Sequence, residues 1–253
     1  MKISTLLHSN KVQKWAAVLS ALLVWQLAAS LVGTSVILSS PIEVGKRLFE
    51  LIFQEDFWRT VLQSFSGIVG GFCGGFALGT ALAFLAGRFR LVKTILFPYM
   101  LTIKSVPVVS FIILAFWVLS SDTLAYAIAF LMVLPVIYTN VLDGVENIDK
   151  NLLEMARAFK VPYLKRFCYI ILPSVKPFVL SGISIAAGLA WKSGVAAEVI
   201  CNPLGSIGER LYYAKVHLET GDLFAWTLVI VLLSILFEKL FSLLVKSLYR
   251  LIR

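Results

Sequence analysis

Four ionisable residues, Lys104, Lys192, Glu198 and Glu238, stand inside or beside long apolar stretches. A charge there is costly and normally faces protein or water. The chemistry open to them is electrostatic: a cation at such depth can replace the hydration of a passing anion, and a carboxylate can pair with a cation. Lys192 either snorkels or pairs with a carboxylate on another helix, or it lines a pathway and attracts anions, with Glu198 and Lys104 as the other pathway candidates. It lies six residues before Glu198, about 9 Å deeper at 1.5 Å per residue. Glu238 and Lys239 read as an interfacial charge pair, and Lys104 as the mark of a shortened span. The two histidines, His8 and His217, argue against a histidine-based metal or proton-relay site. Cys73, Cys168 and Cys201 lack CxxC spacing and read as free thiols, with no metal implied. No cluster of His, Asp, Glu or Cys converges as a membrane-embedded enzyme would require.

The elements that hold these charges are apolar and long. Of 253 residues, 59% are hydrophobic and 15% charged, against about 45–50% and about 25% in soluble domains. The missing polar coat means that lipid covers much of the exterior. The first span runs from Trp15 to Leu38, too long for a signal-peptide core and without a convincing cleavage site. Five more follow at about 60–87, 94–119, 123–142, 177–198 and 223–245, each able to cross a core of about 30 Å. Pro98, Lys104 and Pro107 interrupt the third of these six. The expected architecture is an all-α membrane protein of about six helices: one domain over 1–253, with the N-terminal span in 1–39, a core over 60–250 and a long loop over 143–176.

The net charge of +9 gathers between the spans, where it sets orientation and meets anionic lipid rather than nucleic acid. With a cytoplasmic N-terminus, fifteen basic residues fall inside, from Lys2 to Arg253, and five outside: Lys46, Arg47, Arg59, Arg210 and Lys215. Both termini are therefore expected in the cytoplasm. Between Pro41 and Asp56, Val44, Leu48, Leu51 and Ile52 recur at helical spacing, which predicts an amphipathic helix at the outer interface. Gly67, Gly71, Gly75 and Gly79 share one face of the second span. That face serves either tight helix packing or a sliding interface.

Between spans four and five, Asp149 is a plausible N-cap for a helix from Lys150. Leu152, Met155, Ala156 and Phe159 form its apolar face, and Lys150, Glu154 and Arg157 its polar face. Pro162 disfavours helix at Val161 and is placed to open a second short helix, Tyr163 to Ile170, set at an angle to the first. Such a pair either caps the bundle or docks a partner.

Here the sequence resembles the EAA loop of ABC importer permeases, in which Glu-Ala-Ala is followed by a glycine and then Ile-x-Leu-Pro. Glu154 matches the glutamate, Met155 replaces the first alanine, Ala156 keeps the second, and Arg157 follows; Ile170, Leu172 and Pro173 fall at the expected offsets. Lys160 stands at the glycine, which is expected to be left-handed and costs a lysine about 1–2 kcal/mol. Ser40-Pro41, the glycine-rich second span, Pro107, Ala190-Trp191 and Ala197-Glu198 are similar to the taurine, alkanesulfonate and nitrate subfamily, which includes uptake systems for thiamine precursors. The resemblance implies a type I importer permease fold with a cytoplasmic coupling helix. It also implies a multi-pass location in the bacterial cell membrane and a second permease subunit, in a homodimer. Separate ATPase subunits would bind ATP, and an extracellular or periplasmic binding protein would deliver the solute. No GxxxxGK[ST] phosphate loop occurs in this chain, so no enzymatic activity or cofactor of its own is expected. The competing possibility, a secondary transporter or channel without an ATPase, calls for internal repeats; none is clear between the halves.

Overall fold

The computed structural model describes residues 10–251, so Lys2, His8 and Arg253 lie outside the described residues. The described chain is helical: α1 (Asn10–Val32), α2 (Pro41–Ile52), α3 (Phe57–Arg88), α4 (Arg90–Ser105), α5 (Val108–Phe116), α6 (Ser121–Glu146), α7 (Lys150–Ala158), α8 (Tyr163–Arg166), a π-turn (Phe167–Ile171), α9 (Leu172–Cys201), α10 (Ile207–Val216) and α11 (Thr220–Leu251). Five segments are long and apolar enough to cross a membrane: Trp15–Val32, α3, α6, the run Tyr163–Cys201 and Thr220–Arg250. Helices α4 and α5 are long and apolar enough only as a pair, bent by 98°, which makes a broken sixth span or a re-entrant loop. The helices cluster into two compact units, residues 1–58 with 210–229, and residues 59–209 with 230–253.

In the first unit, α2 begins with a capping box. Ser40 Oγ accepts the Glu43 N–H at 3.2 Å, and Glu43 Oε2 accepts the Ser40 N–H at 2.9 Å. Val44 and Leu51 of the expected apolar face are buried, Leu48 and Ile52 half-buried. Arg47 holds Asp222 through two hydrogen bonds and reaches Glu50 at 2.9 Å. The Asp222 bond and then the Glu50 bond push the guanidinium's pKa further up. Trp25 donates to Ser39 O at 3.1 Å and tilts against Phe224 at 5.5 Å.

In the second unit, the glycine face of α3 has a partner. A Cβ at Gly75 would stand 2.8 Å from Phe130 O, one at Gly79 2.9 Å from Leu134 O, and one at Gly71 would overlap Tyr126 O. The glycines thus seat α3 directly on the backbone of α6, the close approach that both expected uses require. Helix α6 also packs along α9, burying Ile128, Val133, Ile137 and Val141. Phe72 and Phe76 of α3 interlock with Phe237 and Phe241 of α11 at centroid distances of 4.9–5.2 Å.

The interruption expected in the stretch 94–119 falls at Val106, which is extended (φ −79°, ψ 133°) as residues before proline are, and Pro107 then opens α5. Two sequence expectations need correction. The second short loop helix does not end near Ile170. The π-turn carries it into α9, giving one run from Tyr163 to Cys201. The Leu172 N–H reaches Phe167 O, five residues back, and the widened turn receives Pro173, which has no N–H of its own to donate. Finally, Glu238 accepts a hydrogen bond from Ser184 Oγ at 2.7 Å, and no Glu238–Lys239 ion pair occurs among the described residues.

Candidate functional site

The loop between α6 and α9 is built by local rules. Asp149 Oδ1 accepts the Asn151 N–H at 2.8 Å and starts α7 where the sequence indicates. At the other end the chain forms a Schellman motif: the Val161 N–H bonds Ala156 O and the Lys160 N–H bonds Arg157 O, both at 2.9 Å. Lys160 is left-handed, with φ +49°, the conformation expected at this offset. Ala156 is buried, whereas Leu152, Met155 and Phe159 are exposed, Phe159 by 78%. Glu154, Arg157 and Lys160 are also exposed. Helix α7 therefore presents apolar side chains and charges outward from a rigid, capped frame.

Beyond Pro162, Arg166 lies over the Tyr163 ring at 5.5 Å, and Phe167 meets Phe84 of α3 at 5.6 Å, which anchors the second arm. Ile170 and Leu172 are half-buried and Pro173 exposed, so the far end of the motif belongs to the start of α9 rather than to the outward surface. Because Lys160 has a Cβ in left-handed backbone, Lys160→Gly should stabilise the fold by about 0.5–1 kcal/mol, the relieved strain being partly offset by glycine's larger unfolded-state entropy. Denaturant unfolding of the purified chain checks this; no gain in stability would mean that the turn is unstrained.

The charges of the spans do not converge. Lys104 is exposed and donates to Thr139 Oγ1 at 3.0 Å. Lys192 is exposed on α9 and has no ion-pair partner among the described residues. It continues a face with exposed Ser181, Ser184 and Gly188. Glu198, on another face of α9, is only 3% exposed. Its Oε2 accepts Ser64 Oγ at 2.8 Å and the Gly208 N–H at 3.1 Å, while Ser64 Oγ accepts the Ile207 N–H at 2.8 Å. Glu198 and Ser64 together thus satisfy the first amides of α10, where a negative charge is favoured.

Ser64 and Gly208 are partners of Glu198 that sequence reasoning missed. One signal was available: Ser206-x-x-Glu209 has the spacing of a capping box, and Ser206 Oγ accepts the Glu209 N–H at 3.0 Å while the Glu209 carboxylate accepts the Gly205 N–H. Nothing local pointed to Ser64, which is 134 residues from Glu198. A Cβ at Gly208 would stand 2.6 Å from Val199 N and overlap the Glu198 Cβ. Gly208→Ala should therefore destabilise the chain by about 2–3 kcal/mol through overpacking, read as a lower Tm in detergent. A wild-type Tm would show that the α9–α10 junction yields freely.

This architecture defines a helical, multi-spanning membrane protein with a structured loop helix between its fourth and fifth spans. The chain belongs to the family of binding-protein-dependent transport system inner membrane components, whose profile matches residues 75–253. It is a permease component of an ABC importer. It is similar to a probable ABC transporter permease of Brucella melitensis, with 26% identity over 211 residues, 81% of this chain and 84% of the relative. It is also similar to the putative aliphatic sulfonates transport permease of Escherichia coli, with 29% identity over 213 residues, 83% and 80% of the two chains. The nitrate import permease of Synechocystis is 25% identical over 210 residues, 79% and 76% of the two chains.

Proposed function

We propose that two copies of this chain form the pathway of an ATP-driven importer, that α7 is the helix docking a cytoplasmic ATPase, and that the solute is a small anion delivered by a binding protein. The observation that carries the docking assignment is the outward apolar face of Leu152, Met155 and Phe159 on a helix fixed at both ends. A short capped helix transmits a push, whereas a floppy loop absorbs it. ATP is held by the partner subunit and no cofactor by this chain. Both termini lie in the cytoplasm, as the basic residues' asymmetry requires.

The anion assignment has two supports. Lys192 offers a cation at membrane depth without an ion-pair partner among the described residues, and two relatives are named for sulfonates and nitrate, both anions. Glu198 serves the pathway indirectly, by fixing the α9–α10 junction, and Lys104 sits beside the bend between α4 and α5.

Cysteine labelling tests orientation and docking together, in a background lacking Cys73, Cys168 and Cys201. Leu204 is 80% exposed in the loop after α9, and Leu204→Cys should react with an impermeant thiol reagent on intact cells. Asn151→Cys should react only after the membrane is opened, and bound ATPase should then protect it. Reversed labelling would overturn the orientation, and undiminished Asn151→Cys labelling in the assembled complex would overturn the docking site.

A further inference from the structure

We infer that the cleft where α3 ends and α4 begins is a binding site for the phosphate of an anionic phospholipid. The cleft, about 560 Å³, is lined by Arg88, Arg90, Lys93, Thr94, Phe97 and Glu146 among others. Lys93 and Glu146 neutralise each other in an ion pair. Arg88 and Arg90 have no carboxylate partner among the described residues, and the Arg88 guanidinium rests over the Phe89 ring at 5.8 Å. The four charges sum to three positive and one negative, a net +2 held around one opening. Two free guanidinium groups suit a phosphate, since each can donate two parallel hydrogen bonds to its oxygens.

The surroundings select the source of that phosphate. Phe89, Leu91 and Phe97 are 52%, 72% and 63% exposed beside the cations, at the end of a 32-residue apolar helix. A soluble anion gains nothing from these apolar flanks. A phospholipid does, because its acyl chains cover them while its headgroup enters the cleft.

Native mass spectrometry of the full chain in neutral detergent tests this, with phosphatidylglycerol, phosphatidylcholine and inorganic phosphate as probes. Phosphatidylglycerol should be retained in preference to phosphatidylcholine. Each basic residue near an anionic lipid surface is worth about 1 kcal/mol, roughly fivefold, so Arg88→Gln with Arg90→Gln should weaken retention by about 25-fold. Glu146→Gln frees Lys93 and should strengthen it about fivefold, a gain that loss of folding cannot imitate. Equal retention of the two lipids, or retention unmoved by either variant, overturns the site. Displacement by millimolar inorganic phosphate as effective as by phosphatidylglycerol would assign the cleft to a soluble anion and overturn the lipid assignment. So would a lipid-indifferent cleft that retains only an acidic partner protein.

Discussion

Glu154→Lys should uncouple the transporter: solute-stimulated ATP hydrolysis falls more than tenfold and the ATPase no longer co-purifies, while the chain still inserts. Glu154 is exposed in the middle of α7, between exposed Leu152, Met155 and Phe159, and forms no ion pair among the described residues. In the isolated chain the reversal therefore disturbs little beyond adding a like charge four residues from Lys150, worth a few tenths of a kcal/mol. At a docked interface the sign matters far more. Truncating one member of a buried charge pair there costs about 2–5 kcal/mol, about 30-fold or more in affinity. Phe159→Ala, which removes the most exposed ring of the helix, should weaken the same complex without changing charge. Co-purification of the ATPase with Glu154→Lys, together with normal solute-driven hydrolysis, would sink the docking assignment.

Lys192→Met should leave assembly and basal ATP hydrolysis intact while lowering solute uptake about tenfold or more. A lysine at this depth costs about 2.5–3.5 kcal/mol by insertion scales, and something must offset it. The structure narrows the choices, because two carboxylates of the spans are already engaged: Glu198 of α9 itself by Ser64 and Gly208, and Glu238 of α11 by Ser184. What remains for Lys192 is water, the second permease copy or the solute, reached from a face that also carries Ser181, Ser184 and Gly188. Methionine keeps the length and loses only the charge. A residue facing lipid would become less costly as methionine, and the chain would gain stability with uptake unchanged. Unchanged uptake at normal expression would remove Lys192 from the pathway, whereas a loss of assembly would place it in a pair across the permease interface.

What the sequence alone determined about this protein is everything that depends on composition or on near neighbours. The scarcity of charge in long apolar runs requires a membrane, since no other solvent tolerates that surface. Asp149 and Pro162 bracket α7 because an N-cap and a proline act within one helical turn. The offsets from Glu154 to Pro173 carried the family, and the Lys160 offset carried a left-handed turn whose hydrogen bonds span five residues or fewer.

Only the tertiary structure decided the rest, because it rests on groups distant in sequence or on the choice among locally equivalent backbones. Proline at 107 bends a run by 98°, whereas proline at 173 is absorbed by a π-turn and leaves one long helix. Both prolines deny the backbone the same N–H, and the surrounding packing selects the remedy. The glycine face of α3 announced a close neighbour without naming α6. Glu198 and Lys192 stand six residues apart on one helix, and the sequence does not tell which faces protein. Folding turns Glu198 inward to Ser64 and α10 and leaves Lys192 exposed, because the 100° step of a helix sends residues six apart to different faces.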